Sequence, residues 1–298
     1  MWIADKWQDY ELLDCGGGEK LERWDKQFLV RPDPQVIWNP PKRRPEWRQF
    51  DARYVRSNTG GGHWTDHHLP ERWQIKYRDY LTFNVKPMNF KHTGLFPEQA
   101  ANWDFAMEQI RSAGRPVSVL NLFAYTGAAS LAAKAAGADV THLDSVRQVV
   151  TWARGNMESS RLDGIRWVVE DALKFARREA RRGNVYQGII LDPPAYGHGP
   201  DGEKWKLDEC LYDMMKCVSA ILAPKDSFMV LNLYSNGFSP LLGETVVREA
   251  FGLGGTDTGK SEQGAGAKPS AILESGELAL SDRTGKALPL SIFVRLKR

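Results

Sequence analysis

Val117-Ser118-Val119-Leu120-Asn121-Leu122-Phe123-Ala124-Tyr125-Thr126-Gly127-Ala128-Ala129-Ser130 is the stretch that decides the fold. Its first half is a short apolar run of the kind a strand shows when both of its faces are buried. Its second half turns at a glycine into an alanine-rich run, Ala128 to Ala136, that favours a helix. A buried strand feeding a helix through a tight turn opens a βαβ unit. The same alternation continues downstream, with strands expected at Val140 to Leu143, Trp167 to Val169, Gly188 to Leu191 and Phe228 to Leu233. Helices are expected between them at Val146 to Glu158, Ala172 to Arg182 and Leu207 to Leu222, with a further helix upstream at Glu98 to Ser112. Right-handed crossovers of this kind build a doubly wound, mostly parallel α/β sheet. After a Gly-rich loop at Gly252 to Lys268, two late strands, Ser270 to Leu280 and Leu290 to Leu296, read as an antiparallel hairpin.

The first third is built differently. Eight of the eleven tryptophans precede residue 104, and short strands flank the glycine turn Cys15-Gly16-Gly17-Gly18 at Tyr10 to Asp14 and Glu19 to Trp24. More strands are expected at Phe28 to Val30, Trp73 to Tyr77 and Tyr80 to Val85, with a Pro-rich break from Arg31 to Pro45. The chain therefore divides into a small β-rich domain, residues 1–90, and an α/β domain, residues 91–298.

At 298 residues, with 42% hydrophobic and 26% charged residues, the chain can bury a core and is neither disordered nor fibrous. No apolar run nears the roughly 20 residues needed to cross a bilayer, and the amino terminus lacks a secretory pattern, so a cytoplasmic location is expected. Three scattered cysteines, Cys15, Cys210 and Cys217, form neither a disulfide framework nor a Cys-x-x-Cys motif. The net charge of +3 is mildly basic, below what a dedicated nucleic-acid clamp carries, and by itself decides nothing about partners. Locally, Lys42 to Arg56 interleaves basic residues with Trp47 and Tyr54, which suits phosphates and stacked bases or, equally, a solvated linker. Lys174, Arg177, Arg178, Arg181 and Arg182 read as a solvated helix face.

In a doubly wound sheet the ligand lies beyond the carboxyl ends of the strands, where strand order reverses. Only Gly127 marks the first strand end, so the G-x-G-x-x-G dinucleotide fingerprint is absent and hydride transfer is disfavoured. Asp144, 23 residues after Asn121, ends the second strand and can accept both hydroxyls of a ribose, although it or Ser145 could instead cap a helix. Asp171 ends the third and can accept from an adenine amino group or cap its helix. The fourth runs into Asp192-Pro193-Pro194-Ala195-Tyr196-Gly197, where two prolines fix the chain and leave a row of acceptors beside an aromatic. That row suits a planar group with N–H donors stacked on Tyr196.

Together, Gly94-Leu95-Phe96-Pro97-Glu98-Gln99, Asn121 to Gly127, Leu143-Asp144-Ser145, Glu170-Asp171 and Asp192-Pro193-Pro194 resemble the class I S-adenosylmethionine-dependent methyltransferases that modify 23S ribosomal RNA. The amino-terminal run Tyr10 to Asp14 with Gly18 to Arg23 is similar to relatives that lack a typical RNA-binding PUA domain. The resemblance implies a Rossmann-like domain whose cofactor is S-adenosylmethionine. Its methionine part would lie against Phe123, Ala124, Tyr125, Thr126 and Gly127 with Asn121, its ribose on Asp144 beside Ser145, its adenine on Asp171. Phe96 and Gln99 would close over it, and Asp192, Pro193, Pro194 and Tyr196 would face the acceptor. This chain departs from the family at Glu98, usually Asp, and Ala100, usually Arg; Lys91 is a substitute cation for the methionine carboxylate.

Relatives that methylate cytosine at carbon 5 need a cysteine nucleophile after the fifth strand, where this chain has Leu233-Tyr234-Ser235-Asn236-Gly237. A nitrogen acceptor is therefore expected. Gly60-Gly61-Gly62-His63-Trp64-Thr65-Asp66-His67-His68 lacks a framework to hold zinc and reads as a loop near the nucleic acid, so no metal is expected. The expected partner is structured, ribosomal RNA rather than a membrane, and a homodimer is allowed for. Two other readings stay open: a methyltransferase with a small-molecule or protein acceptor, and a catalytically silent RNA-binding module.

Overall fold

The computed structural model describes residues 1–57, 61–65, 68–234, 237–253 and 271–298. Two compact units share them. The first comprises Met1–Ala101, Arg154–Leu162 and Leu278–Leu290; the second comprises Asn102–Ala153, Asp163–Glu277 and Ser291–Arg298.

In the first unit the strands are β1 (Trp2–Ile3), β2 (Tyr10–Gly16), β3 (Glu19–Trp24), β4 (Gln27–Pro32), β5 (Ala52–Arg56), β6 (Gly62–Thr65), β7 (Trp73–Tyr77) and β8 (Leu81–Val85). β2 to β6 form a five-stranded sheet in chain order, with β4 and β5 parallel, and β7 pairs with β8. β5 and β6 were not expected from sequence: Arg53, Tyr54, Val55 and Arg56 pair antiparallel with Thr65, Trp64, His63 and Gly62. Gly62–Thr65 is thus a strand rather than a loop; Gly60, Asp66 and His67 lie outside the described residues.

The stretch 42–56 turns its aromatic residues inward while Arg43, Arg48 and Arg56 stay exposed. Trp47 and Tyr54 are buried, Trp47 donates its indole N–H to Asp14 at 2.8 Å, and Lys42 lies over the Trp47 ring while pairing with Glu19 at 2.5 Å. Trp47 fills the small core of Leu13, Leu21 and Val30, and the buried Tyr54 packs edge-on to Trp64, ring centroids 5.4 Å apart. Beneath them sits a buried charge cluster. Glu22 takes Arg31 on both oxygens (2.5 and 2.7 Å) and the Tyr10 hydroxyl at 2.8 Å, and Arg31 also donates to the Lys91 carbonyl at 2.9 Å. Burial alone would raise the Glu22 pKa, but Arg31 and Lys20 outweigh it and hold it at about 2.

The second unit holds most of α1 (Ala100–Ser112), then β9 (Ser118–Leu122), α2 (Ala128–Ala135), β10 (Asp139–Asp144), the first half of α3 (Arg147–Ser159), β11 (Ile165–Val169), α4 (Ala172–Arg182), β12 (Gly188–Leu191), β13 (Tyr196–His198), β14 (Lys204–Lys206), α5 (Leu207–Ile221), β15 (Phe228–Leu233) and α6 (Pro240–Phe251). The chain ends in β16 (Ile272–Ser281) and β17 (Ala287–Lys297), whose adjoining ends belong to the first unit. The sheet order is β16-β17-β15-β12-β9-β10-β11, with β15 to β11 mutually parallel and β17 antiparallel to β15. This is the expected doubly wound sheet. Its switch point lies between β9 and β12, since β10 and β11 build outward from one side of β9 and the chain returns to its other side.

Every residue of β12 and β15 is buried, which is why both read as uninterrupted apolar runs. At Gly188 a Cβ would come within 2.5 Å of the Phe228 ring, so glycine is what lets these neighbours approach. The sequence reading missed α6, which Ser239 caps by accepting from the Leu242 N–H and Pro240 starts. Of the loop 252–268, residues 254–268 lie outside the described residues.

Candidate active site

The turn after β9 is strained in a regular way. Phe123 and Tyr125 adopt φ of +55° and +49°, and Gly127 follows at +89°. Non-glycine residues in the left-handed region cost of order 1–3 kcal/mol each and concentrate where function holds them. What holds them here is Leu143-Asp144: the Ala124 N–H donates to the Leu143 carbonyl at 3.0 Å, and the Tyr125 N–H to Asp144 Oδ2 at 2.8 Å. Gly127 serves packing rather than open approach to a ligand, because a Cβ there would meet Ala153 Cβ of α3 at 2.9 Å.

Asp144 is the hub. Its Oδ1 accepts the Val146 N–H at 2.9 Å, and the Ser145 backbone N–H also faces the carboxylate. Burial raises its pKa, against the lowering effect of those backbone donors. Asp171, buried, caps α4 by accepting the Lys174 N–H on Oδ1 at 2.8 Å; its other carboxylate oxygen makes no hydrogen bond among the described residues. Arg178 grips the neighbouring Glu170 with both terminal nitrogens, one at 2.7 Å.

Phe123, Leu143, Asp144, Ser145, Asp171, Ala172, Pro194, Gly197, His198 and Trp205 line one open pocket of about 310 Å³ at these strand ends. It joins five of the residues singled out from sequence: Phe123, Asp144, Ser145, Asp171 and Pro194. Ala124, Tyr125, Thr126 and Gly127 shape the turn behind it. Asn121 is turned elsewhere, donating to Ser130 Oγ at 2.9 Å, which lies 3.0 Å from His142 Nδ1. That buried chain ties β9, α2 and β10 together, and burial lowers the His142 pKa to about 3, so the ring is neutral. Phe96 and Gln99 belong to the first unit, where the Gln99 N–H donates to the Phe96 carbonyl at 3.1 Å. Lys91, also there, is brought down to about 8 by burial and donates to the Pro32 carbonyl at 3.3 Å.

Beyond β12, Asp192 Oδ1 accepts from Asn232 Nδ2 at 2.8 Å, and Asn232 Oδ1 accepts the Ser291 hydroxyl at 2.9 Å. The proline row is shorter than its sequence suggests. The Pro194 carbonyl accepts the Trp205 indole N–H at 2.7 Å, and the Ala195 carbonyl accepts the Leu207 N–H at 3.0 Å. The carbonyl of the buried Pro193 makes no hydrogen bond among the described residues. Tyr196 is 55% exposed, with its ring edge-on to His198 (centroids 5.1 Å apart) and its hydroxyl 3.3 Å from His198 Nε2.

Sequence reasoning missed Trp205 and Asn232. Trp205 packs its ring on Phe123, centroids 4.7 Å apart, while its N–H holds Pro194, so one side chain joins the two halves of the site. The alternation Lys204-Trp205-Lys206, exposed, buried, exposed, was the available signal, as was Asn232 alone in the apolar run of β15. Cys210 and Cys217, both half-buried, pack from α5 against the core, neither lines the pocket, and burial raises the Cys217 thiol. Among the described residues no group of His, Cys, Asp or Glu is arranged to hold a metal ion.

The lining of the pocket combines the apolar side chains of Leu143, Ala172, Pro194 and Trp205 with the carboxylates of Asp144 and Asp171. A family model for the S-adenosylmethionine-dependent methyltransferases matches residues 29–255. The chain is 36% identical to the SAM-dependent methyltransferase of Agrobacterium tumefaciens, whose crystal structure it matches with a TM-score of 0.87 over 98% of this chain and 91% of that one. The SMU.776 methyltransferase structure, complexed with SAH, shares the fold at TM-score 0.69 and 18% identity, over 98% of this chain and 76% of that one. Among curated proteins, the ribosomal RNA large subunit methyltransferase K/L of Shewanella frigidimarina is 26% identical over 168 residues, 55% of this chain and 22% of that protein. The protein of the same name from Syntrophotalea carbinolica is 36% identical over 129 residues, 42% of this chain and 17% of that one. The match spans about a fifth of the length of these curated relatives.

Proposed function

From the premise that the chain belongs to the S-adenosylmethionine-dependent methyltransferase family, we propose that it methylates a nucleobase nitrogen of structured ribosomal RNA. In this reading residues 91–298 carry out the transfer and the β-rich residues 1–90 dock the RNA. The supporting observation is the juxtaposition at the switch point of a nucleoside pocket with the short acceptor row of Asp192 and Pro193, beside an exposed Tyr196.

S-adenosylmethionine supplies a methyl group on a cationic sulfur. Asp144, its carboxylate kept in register by the Tyr125 and Val146 N–H groups, would hold the ribose hydroxyls, and the second carboxylate oxygen of Asp171 would take the adenine amino group. On the acceptor side, a base drawn out of its stack lies on Tyr196 and presents its N–H donors to the Asp192 carboxylate and the Pro193 carbonyl. Asn232, braced by Ser291, fixes that carboxylate. With S-adenosylmethionine bound, its methyl would pass in line to the nitrogen lone pair as the carbon–sulfur bond breaks, and Asp192 or water would take the surplus nitrogen proton. Positioning supplies most of the acceleration, since charge is lost rather than created on sulfur.

A nitrogen target follows from the cysteines: a carbon target needs a thiolate within reach of the ring, whereas Cys210 and Cys217 sit on α5 against the core. The residues Ser235 and Asn236, in the span where such a cysteine was sought, lie outside the described residues. The relatives named as ribosomal RNA methyltransferases support RNA as the substrate. The test is incubation with methyl-labelled S-adenosylmethionine and bacterial ribosomal RNA or ribosomal protein. Acid-precipitable label removed by ribonuclease and not by protease is expected; label removed only by protease would overturn the reading.

A further inference from the structure

The hairpin that follows Asp192-Pro193-Pro194 has two unlike faces. Its register places Tyr196 opposite Lys206, Gly197 opposite Trp205 and His198 opposite Lys204. Directly opposed residues share a face, so Gly197 and the buried Trp205 face the protein while two aromatic rings and two lysines face outward together. Tyr196, His198, Lys204 and Lys206 are all exposed. Lys206 pairs with Glu209 at 2.6 Å; Lys204 makes no ion pair among the described residues.

The outward face does not end at the hairpin. Lys204 and Trp205 form one wall of a second, open groove of about 880 Å³, whose other wall is α4 with Lys174, Arg177 and Arg181. This groove adjoins the nucleoside pocket, with Asp171 and Trp205 lining both. Not all of its charge is available. Lys174 is bound by Asp201 at 2.9 Å and Glu203 at 3.0 Å, and Arg177 by Asp213 at 3.2 Å. Arg181 and Lys204 have no such partner among the described residues. Two uncommitted cations therefore flank a groove that opens beside two exposed rings.

We propose that β13, β14 and the exposed side of α4 form the surface that holds single-stranded RNA next to the acceptor base, with His198 and Tyr196 stacking bases and Lys204 and Arg181 contacting the phosphates on either side. This rests on the RNA reading above and extends it from Tyr196 along the hairpin to His198 and Lys204 and across the groove to Arg181. Rings edge-on to one another and open to solvent can receive unstacked bases, which a duplex does not offer, and paired cations beside them match the charge of the connecting backbone.

The experiment uses the full chain and a fluorescein-labelled single-stranded RNA decamer of mixed sequence, alone and annealed to its complement, with anisotropy followed from 50 to 300 mM salt. The wild type is expected to prefer the single strand. Arg181→Gln with Lys204→Gln should weaken binding by about tenfold at 50 mM salt and flatten the slope of log affinity against log salt by about 1.4, two phosphates at about 0.7 each. His198→Ala should weaken binding about fivefold or more with the slope unchanged, because stacking releases no counterion. Affinity for S-adenosylhomocysteine should be the same in the double variant, which shows that it is folded. If the wild type methylates ribosomal RNA and the double variant binds the decamer with unaltered affinity and slope, this surface is overturned and the RNA reading stands. A wild type that neither binds nor methylates RNA overturns both. Competition by polyglutamate as strong as by the decamer, with no effect of His198→Ala, would mark a general anion surface and also refute the proposal.

Discussion

Replacing Asp144 by Ala tests the cofactor assignment at the residue the structure makes central. In the apo protein the substitution leaves the Tyr125 and Val146 N–H groups, now 2.8 and 2.9 Å from nothing, to be met by water. In the complex it also removes the acceptor for the ribose. A hydrogen bond to a charged group contributes about 1.5–3 kcal/mol, so S-adenosylmethionine affinity should fall by about ten- to a hundredfold. Asp144→Asn should be nearly as damaging, because its amide nitrogen must meet one of two N–H donors and neither orientation satisfies both. Titration calorimetry with S-adenosylhomocysteine measures the affinity, and thermal unfolding without ligand separates loss of binding from loss of fold. The same carboxylate imposes a pH dependence. Burial raises its pKa, so protonation, which removes the charged acceptor, begins at higher pH than for an ordinary aspartate. Wild-type affinity should therefore weaken on acidification before the protein unfolds, and Asp144→Ala should lack that weakening. Unchanged affinity in Asp144→Ala would refute the assignment.

The remaining expectations concern the acceptor side and the charge cluster. Tyr196→Ala should lower RNA binding or turnover by about tenfold or more with cofactor affinity unaltered, while Asp192→Asn should lower single-turnover rate more than binding; if both instead lost the cofactor and turned over normally at saturation, these residues would belong to the cofactor pocket. Cys210→Ala with Cys217→Ala should leave transfer intact, and abolished transfer in a folded, cofactor-binding variant would demand a carbon target. Arg31→Met strands the buried Glu22 carboxylate and should cost about 3–5 kcal/mol in urea unfolding, against about 1 kcal/mol for Tyr10→Phe. Because the Glu22 pKa is held below its unfolded value, at about 2, its contribution is complete above the unfolded pKa and is lost as pH falls toward 2; a wild type whose stability is flat from pH 5 to 2.5 would contradict the cluster.

The doubly wound sheet was legible because burial on both faces writes itself as an apolar run, as in Gly188-Ile189-Ile190-Leu191. Strand ends were legible for the same reason: a carboxylate after such a run, as at Asp144 and Asp171, stands out. The short strands were not. β5 carries only three buried or half-buried positions among charges, Ala52, Arg53 and Tyr54, and its partner β6 is mostly glycine and polar residues, so neither has a pattern until long-range pairing supplies one. Side-chain direction was equally hidden. Asn121 and Trp47 read as ligand-facing from their neighbours in sequence, yet one is spent on Ser130 and the other on Asp14, partners that only the fold brings close. Trp205 shows the converse: the flanking Lys204 and Lys206 mark it as buried, but only the fold brings it between Phe123 and Pro194.

The most direct test of the central claim is the identity of the methylated nucleoside. Ribosomal RNA labelled by this protein with deuterated S-adenosylmethionine should, after digestion and mass spectrometry, yield one base carrying the label on a ring or exocyclic nitrogen, and that yield should vanish with Asp192→Asn. Label recovered as a 5-methylpyrimidine, or on protein with none on RNA, would contradict the account.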